Sequence, residues 1–171
     1  VELIEVETQE MKREEYRQNL GDRCYWCKRA LFLEALPVAQ LNNLPLAYGE
    51  NAEDLLEDRP GRRAAMQAGI LAPLRDAGMH KSHVRDLAAQ LGLNIATKPA
   101  SPCLASRIAK GVRVEIDDLS TIDIIESKIK SMGFSNLRAR LIAPAAMCLE
   151  FEQEDLNRAE ELDKNFVQLL K

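Results

Sequence analysis

The spacing of apolar positions changes along the chain, and the changes divide it. The first 20 or so residues are dominated by charge and close on Asn19–Leu20–Gly21–Asp22, a turn signal. A helical pattern then runs from about Cys27 to Gln40. Pro37 is expected to end or kink it, because proline removes a backbone donor and crowds the preceding turn. "LPLAYGEN" predicts a short buried strand entering a loop at Gly49, and "EDRPGRRAAMQAG" predicts a loop and then a short helix closed by Gly69. Val84, Leu87, Ala88 and Leu91 recur at helical spacing, so the segment near 80–92 reads as an amphipathic helix ending at Gly92, with a strand "LNIA" after it. Strands alternating with helices predict a parallel α/β layer through about residue 97.

"KPASPC" interrupts this pattern, and its two prolines mark a domain boundary: residues 1–99 form the α/β layer and residues 100–171 a small α+β domain. In the second domain residues 116–132 read as an amphipathic helix ending at Gly133. "NLRARLI" and "MCLEFE" read as two half-buried strands, and "EDLNRAEELDKNFVQLLK" as a final helix. Alternation puts Leu137, Ala139 and Leu141 on one face, with Arg138 and Arg140 on the other. Across the pair, Met147, Leu149 and Phe151 oppose Cys148, Glu150 and Glu152. This predicts two arginines and two carboxylates on one sheet face, either a solvated face with cross-strand ion pairs or a binding surface. Glu126 stands in or beside the apolar seam of Leu119, Ile122 and Ile129, a costly place for a carboxylate unless it meets a cation or a donor.

Composition narrows the function classes. The 171 residues are 46% hydrophobic and 29% charged with a net charge of -4, which predicts a soluble globular protein without a broad basic surface for nucleic acid. The longest apolar stretch, "LIAPAAMCL", is broken by Pro144 and too short for a membrane span. The N-terminus is acidic, unlike a secretory signal, and opens on Val rather than Met, which points to an internal piece of a longer protein in a reducing, cytoplasmic setting.

The four cysteines carry the candidate chemistry. Cys24 and Cys27 form a C-x-x-C pair that could grip a metal or form a strained disulfide. A thioredoxin-type pair would follow a strand, and the preceding residues are not strand-like. A structural zinc would need a fourth ligand, and the two histidines, His80 and His83, are expected to face solvent. Cys103, on a loop stiffened by Pro102, adds a third thiol. Three thiolates suit a [4Fe–4S] cluster with one open iron. Cys148 reads as a half-buried strand residue. Asn51, Asp54 and Arg59 form a polar loop after a strand, either a ligand loop or a capping loop in which Asn51 caps a helix and Asp54 pairs with Arg59. Trp26, inside the C-x-x-C, either shields a cluster or simply packs.

"DRCYWCK", "YGENAEDLLEDRPGRRAA", "APLRDAGMHKSHVRDLAAQLGL" and, most specifically, "KPASPCLASRIAKG" resemble consecutive segments of the LarE family, over about residues 19–151. These are ATP-dependent sacrificial sulfur transferases of the PP-loop ATP pyrophosphatase superfamily. The resemblance implies a partial PP-loop parallel sheet followed by a sulfur-transferase domain. It implies sulfur insertion into an adenylylated carboxylate of a pyridinium mononucleotide during nickel-pincer cofactor biosynthesis, with ATP and Mg2+ used by the full-length protein. It further implies homo-oligomers. By position, Cys24, Cys27 and Cys103 match the subgroup whose three cysteines hold a [4Fe–4S] cluster carrying the sulfur. Arg107 matches an arginine near the reactive sulfur, Arg138 and Arg140 match phosphate-binding arginines, and Glu126 and Glu150 match acidic site residues. Asn51, Asp54 and Arg59 match a loop near the nucleotide.

The superfamily's S-G-G-x-D-S phosphate loop has no counterpart in these residues, which contain eight glycines and no Gly-Gly pair. The resemblance places that loop upstream of Val1. Thr97 and Cys148 stand where the family commonly has an acidic residue and an arginine. Two other readings remain: a PP-loop tRNA thiolation enzyme, which the acidic balance opposes, and a non-catalytic fragment with a structural metal site.

Overall fold

The computed structural model describes residues 3–56, 59–134 and 136–159, and the chain divides into two units, Val1–Ser101 and Pro102–Lys171. In the first unit a 3-10 turn (Glu10–Lys12) leads into α1 (Glu14–Arg17). The chain then reverses through Asn19 (φ 52°) and Gly21 (φ 116°), in the left-handed region that glycine enters freely and asparagine tolerates. The Asp22 carbonyl at once accepts the N–H groups of Tyr25 (2.8 Å) and Trp26 (3.4 Å), so α2 starts at Arg23 and runs to Leu41. "CYWC" is thus the first turn of α2, earlier than the apolar pattern predicts. Pro37 lies inside the helix and does not end it, since only one further turn follows the missing N–H.

α3 (Pro60–Gln67) packs against α2 as the small residues on its inner face allow. Ala64 and Ala65 join Tyr25, Phe32 and Ile70 in the core of this unit. A Cβ on Gly61 would stand 2.9 Å from Lys28 Cδ and 3.3 Å from the Cys24 carbonyl oxygen, so glycine is what lets α3 approach the first turn of α2. α3 ends, as predicted, before Gly69 (φ 66°). α4 (Pro73–Asp76) and α5 (Lys81–Gln90) complete the helices of the unit.

The strands predicted here are mostly not formed. "LPLAYGEN" contributes one parallel bridge, Ala47 to Leu71, held by Tyr48 N–H to Leu71 O (2.9 Å) and Leu71 N–H to Leu46 O (3.0 Å). Among the described residues, the parallel sheet expected for residues 1–99 reduces to that bridge. "LNIA" is a 3-10 turn (Asn94–Thr97) instead, because Arg85 on α5 donates to the carbonyls of Ala96 and Lys98, both at 2.9 Å, and draws this backbone back onto its own helix. α5 keeps its predicted span, but Ala88 is its one buried residue, while Leu87 and Leu91 are exposed.

The second unit follows its pattern closely. A 3-10 turn (Leu104–Arg107) precedes α6 (Ile116–Ser131), which ends before Gly133 (φ 90°). β1 (Leu137–Ala143) and β2 (Ala146–Phe151) pair antiparallel, with Arg138 opposite Glu150 and Arg140 opposite Cys148. Ile122, Ile125 and Ile129 of α6 are buried, as are Val114, Phe134, Leu137, Ala139 and Leu141, and together they form the core of this unit. Ile108 bridges Leu141 and seats the 3-10 turn beside β1. Helix begins again at residues 156–159; the remainder of the predicted final helix lies outside the described residues.

Thus the observed class is mixed helix and strand, with an antiparallel two-stranded sheet.

Candidate functional site

Cys103 opens the 3-10 turn, its backbone extended (φ -61°, ψ 154°) and its side chain exposed. The turn closes when Ser106 N–H donates to Cys103 O at 2.9 Å. Its last residue, Arg107, points inward and reaches Glu126 on α6. Nε donates to Oε1 at 2.8 Å and Nη2 to Oε2 at 3.1 Å, a bidentate pair whose side chains are 8% and 2% exposed. The third nitrogen, Nη1, faces the turn: it donates to Pro102 O (2.8 Å) and Ser106 Oγ (3.2 Å), with Cys103 O at 3.4 Å. One guanidinium therefore ties three consecutive features, the proline, the cysteine and the turn, to the core helix.

Glu126 is satisfied on every side. Beyond Arg107 it accepts the Ala139 N–H of β1 (3.1 Å) and Lys130 Nζ (3.3 Å). Burial opposes its ionisation, but the bonds from Arg107 and Ala139 outweigh burial and hold its carboxyl below the ordinary range. The same pairing raises Arg107 against the opposing effect of burial. The cation or donor that the apolar seam demanded is present, and it is Arg107.

Arg140, on β1, reaches the same turn. Its Nε pairs with Glu150 Oε1 at 2.5 Å and its Nη1 donates to Ser106 O at 3.2 Å. Arg138, on the same sheet face, is exposed, and no hydrogen bond or ion pair joins it to another described residue. The second unit therefore brings together Cys103, Arg107, Glu126, Arg140 and Glu150, with Arg138 beside them.

In the first unit Cys24 and Cys27 lie one helical turn apart on α2, the former exposed and the latter half-buried; none of the four cysteines is in a disulfide. Trp26 Nε1 donates to Asp22 Oδ2 at 2.9 Å, which fixes the indole within the same turn, and its ring meets Tyr25 edge-on at 5.0 Å. Among the described residues no group of three or more His, Cys, Asp or Glu side chains is gathered as a metal site.

The loop of Asn51, Asp54 and Arg59 has the capping geometry. Asn51 Oδ1 accepts the N–H groups of Glu53 (2.9 Å) and Asp54 (3.3 Å), Asp54 Oδ2 accepts Asn51 N–H (3.0 Å), and Asp54 Oδ1 pairs with Arg59 at 2.9 Å. This reciprocal box starts the 3-10 turn Ala52–Leu56.

Sequence reasoning missed the carboxylate beneath that loop. Glu50, 3% exposed at its side chain, accepts Tyr48 Oη (2.7 Å), Arg62 Nε (3.1 Å) and Arg75 Nη1 (2.8 Å). Arg62 also donates to Asp54 O, joining the cluster to the loop. Burial works against the charge of Glu50, yet the three donors hold its carboxyl below the usual range. Burial, then the bond to Glu50, pushes Tyr48 up to about 12. Lys28, one turn after Cys24, lies over the Tyr48 ring at 4.3 Å and is lowered by burial against the pull of Glu50. Glu126 announced itself by standing in an apolar seam. Glu50 sits at a strand-to-loop exit where carboxylates are ordinary, and its partners come from residues 62 and 75.

No family model matches the chain. The chain is 35% identical over 140 residues to an uncharacterized protein of Synechocystis sp., covering 79% of this chain and 51% of that protein. It is 30% identical over 153 residues to an uncharacterized protein of Methanocaldococcus jannaschii, covering 87% and 60%. It is also 30% identical over 125 residues, 72% of this chain and 45% of the relative, to the pyridinium-3,5-bisthiocarboxylic acid mononucleotide synthase of Lactiplantibacillus plantarum. The chain thus spans about half the length of the curated relatives it matches.

Proposed function

We propose that this chain is a LarE-like sulfur transferase, or the sulfur-handling part of one, serving nickel-pincer cofactor biosynthesis. Its similarity to a bisthiocarboxylic acid mononucleotide synthase supports the sulfur-transfer role. The observation that carries the assignment to particular residues is the exposed thiol of Cys103 on a turn clamped from within by the buried Arg107–Glu126 pair. A thiol held in that way is preorganised, since Arg107 anchors its turn at both Pro102 and Ser106.

In this reading Cys103 is the sulfur-handling residue. Arg138 and Arg140 hold the phosphate of a pyridinium mononucleotide, a task suited to planar, multiply donating guanidinium groups. Glu150 orients Arg140. Arg107 and Glu126 position the turn; with both buried and mutually satisfied, they act through the backbone of Cys103 and not on the substrate.

The thiol donors of Cys24, Cys27 and Cys103 fit iron in their chemistry, and the first two stand one turn apart at a helix start. These three residues would hold a [4Fe–4S] cluster, which when bound supplies an open iron able to carry the transferred sulfur. Residues 1–99 are read as part of a PP-loop ATP pyrophosphatase-like layer. Adenylylation of the carboxylate by ATP and Mg2+ needs a phosphate loop that these 171 residues do not include, so in this reading they perform the sulfur-carrying half of the reaction. The partners proposed are the mononucleotide, ATP and further copies of the chain, in the cytoplasm. No helix among the described residues is long and apolar enough to cross a membrane.

Anaerobic reconstitution with iron and sulfide tests the reading. A broad visible absorbance and about four irons per chain are expected. Iron uptake by Cys103→Ala equal to the parent's would sink it.

A further inference from the structure

We propose that Arg140 couples binding of a phosphomonoester on the β1–β2 face to the position of the Cys103 turn. The inference rests on the reading of Cys103 as the sulfur-handling residue; two arginines, one buried and one partly exposed, hold its turn.

Arg107 holds the turn from inside and is buried, so nothing from solvent competes for it. Arg140 holds the turn from outside. Its side chain is 32% exposed and its guanidinium is shared between a charged and a neutral acceptor: Glu150 at 2.5 Å, and the Ser106 carbonyl at 3.2 Å. Ser106 is also the residue whose N–H closes the turn on Cys103 O. Arg140 therefore grips, through the Ser106 carbonyl, the residue whose N–H shapes the cysteine's backbone.

Charge-assisted bonds are shorter and roughly twice as strong as bonds to neutral acceptors. A phosphate dianion arriving at Arg140 thus displaces the Ser106 carbonyl before it displaces Glu150. The face favours such an anion. Arg138 lies two residues away on the same side, roughly 7 Å along the strand, exposed and without an ion pair to any described residue. Glu150 is the carboxylate paired on this face, and it is already committed to Arg140. β2 ends at Phe151 and leaves Glu152 beyond the paired strands, so within the ladder two guanidinium groups flank one carboxylate and leave a net positive charge for a phosphate to neutralise. Binding then converts the Cys103 turn from doubly held to singly held, leaving Arg107 as its fixed point. The thiol gains freedom to move only when a phosphorylated ligand is present.

The experiment follows iodoacetamide labelling of Cys103 by mass spectrometry in the intact, iron-free chain, where its thiol is not held as a metal ligand, with Cys24 in the other unit as internal control. Ribose 5-phosphate, inorganic phosphate and phosphate-free ribose are compared, and binding is measured separately by calorimetry. Ribose 5-phosphate should raise the labelling rate of Cys103 roughly three- to tenfold, the weight of one net hydrogen bond, while ribose leaves it unchanged. An equal response to inorganic phosphate would identify the phosphate group alone as the signal; a response only to the sugar phosphate would make the ester the ligand. Arg140→Gln should label at the fast rate without ligand and lose the response, with amide exchange across α6 confirming that the unit is folded. Arg138→Gln, which leaves the Ser106 bond in place, should shift the response to higher ligand concentration. Calorimetric binding with no change in Cys103 labelling overturns the coupling and leaves the sulfur-transfer reading standing. No binding of either phosphate overturns both the coupling and the assignment of Arg138 and Arg140.

Discussion

Arg107 and Glu126, nineteen residues apart in sequence, meet in a bidentate pair at 2.8 and 3.1 Å inside the second unit. The pair joins the turn bearing an exposed cysteine to the helix that makes the core. Truncating one partner leaves the other charge buried without compensation, which costs more than the intact pair contributes. Glu126→Ala is expected to destabilise the second unit by about 3–5 kcal/mol. Trp26 is the sole tryptophan and belongs to the first unit, so a probe within the second unit is the direct readout. Amide hydrogen exchange over α6 and β1 provides it: protection should collapse there and persist in α2. Unchanged protection in α6 would refute the role given to the pair.

Acid should act on both units through two buried carboxylates. Glu126 and Glu50 each have a folded-state pKa below the ordinary value, because donors outweigh the burial that opposes charge. The stability they contribute is complete above the unfolded value, about 4.3, and is lost as pH falls through the folded values. Glu50→Gln should flatten the acid limb of the first unit's stability profile, read through Trp26 fluorescence in urea. A parallel shift of the whole profile, without flattening, would contradict this.

Alkali should act on the first unit through Tyr48. With its folded pKa raised to about 12, Tyr48 contributes stability that is present below its unfolded value and lost as pH rises through 12. Tyr48→Phe should remove that alkaline dependence, at the cost of a lost bond to Glu50 worth roughly 1 kcal/mol at neutral pH. Spectrophotometric titration should show Tyr48 as a late-ionising phenol.

Gly61 should resist side chains. A valine there presses on Lys28 and on the Cys24 carbonyl, both within 3.3 Å of the added Cβ, and is expected to cost about 1–3 kcal/mol by overpacking. The perturbation falls at the first turn of α2, so Trp26 fluorescence should shift in the folded protein. An unshifted spectrum with full stability would show that α2 and α3 tolerate a wider separation.

Cys148→Ser should leave iron uptake at the parent level, whereas Cys24→Ala, Cys27→Ala and Cys103→Ala should each abolish it. Iron loss in Cys148→Ser would move the proposed ligand set onto the sheet.

Local pattern sufficed wherever an element makes its own contacts. α6 and its closing glycine, the β1–β2 hairpin, and the alternation that buries Leu137, Ala139 and Leu141 were all readable from spacing, because helix and hairpin bonds close over a few residues. The cap at Asn51 and the Asp54–Arg59 pair were one of two readings that the local pattern left open, and the structure adopts that geometry. Strands "LPLAYGEN" and "LNIA" failed because a strand exists only through a neighbour. The first found a single bridge, and the second was drawn into a turn by Arg85. Spacing could show that Glu126 needed a partner but not which of many cations would reach it. It gave no sign of Glu50, whose donors come from Tyr48, Arg62 and Arg75. Periodicity encodes which face of an element is apolar. Which charged groups converge beneath that face depends on how elements distant in sequence pack, and that is settled only when the chain has folded.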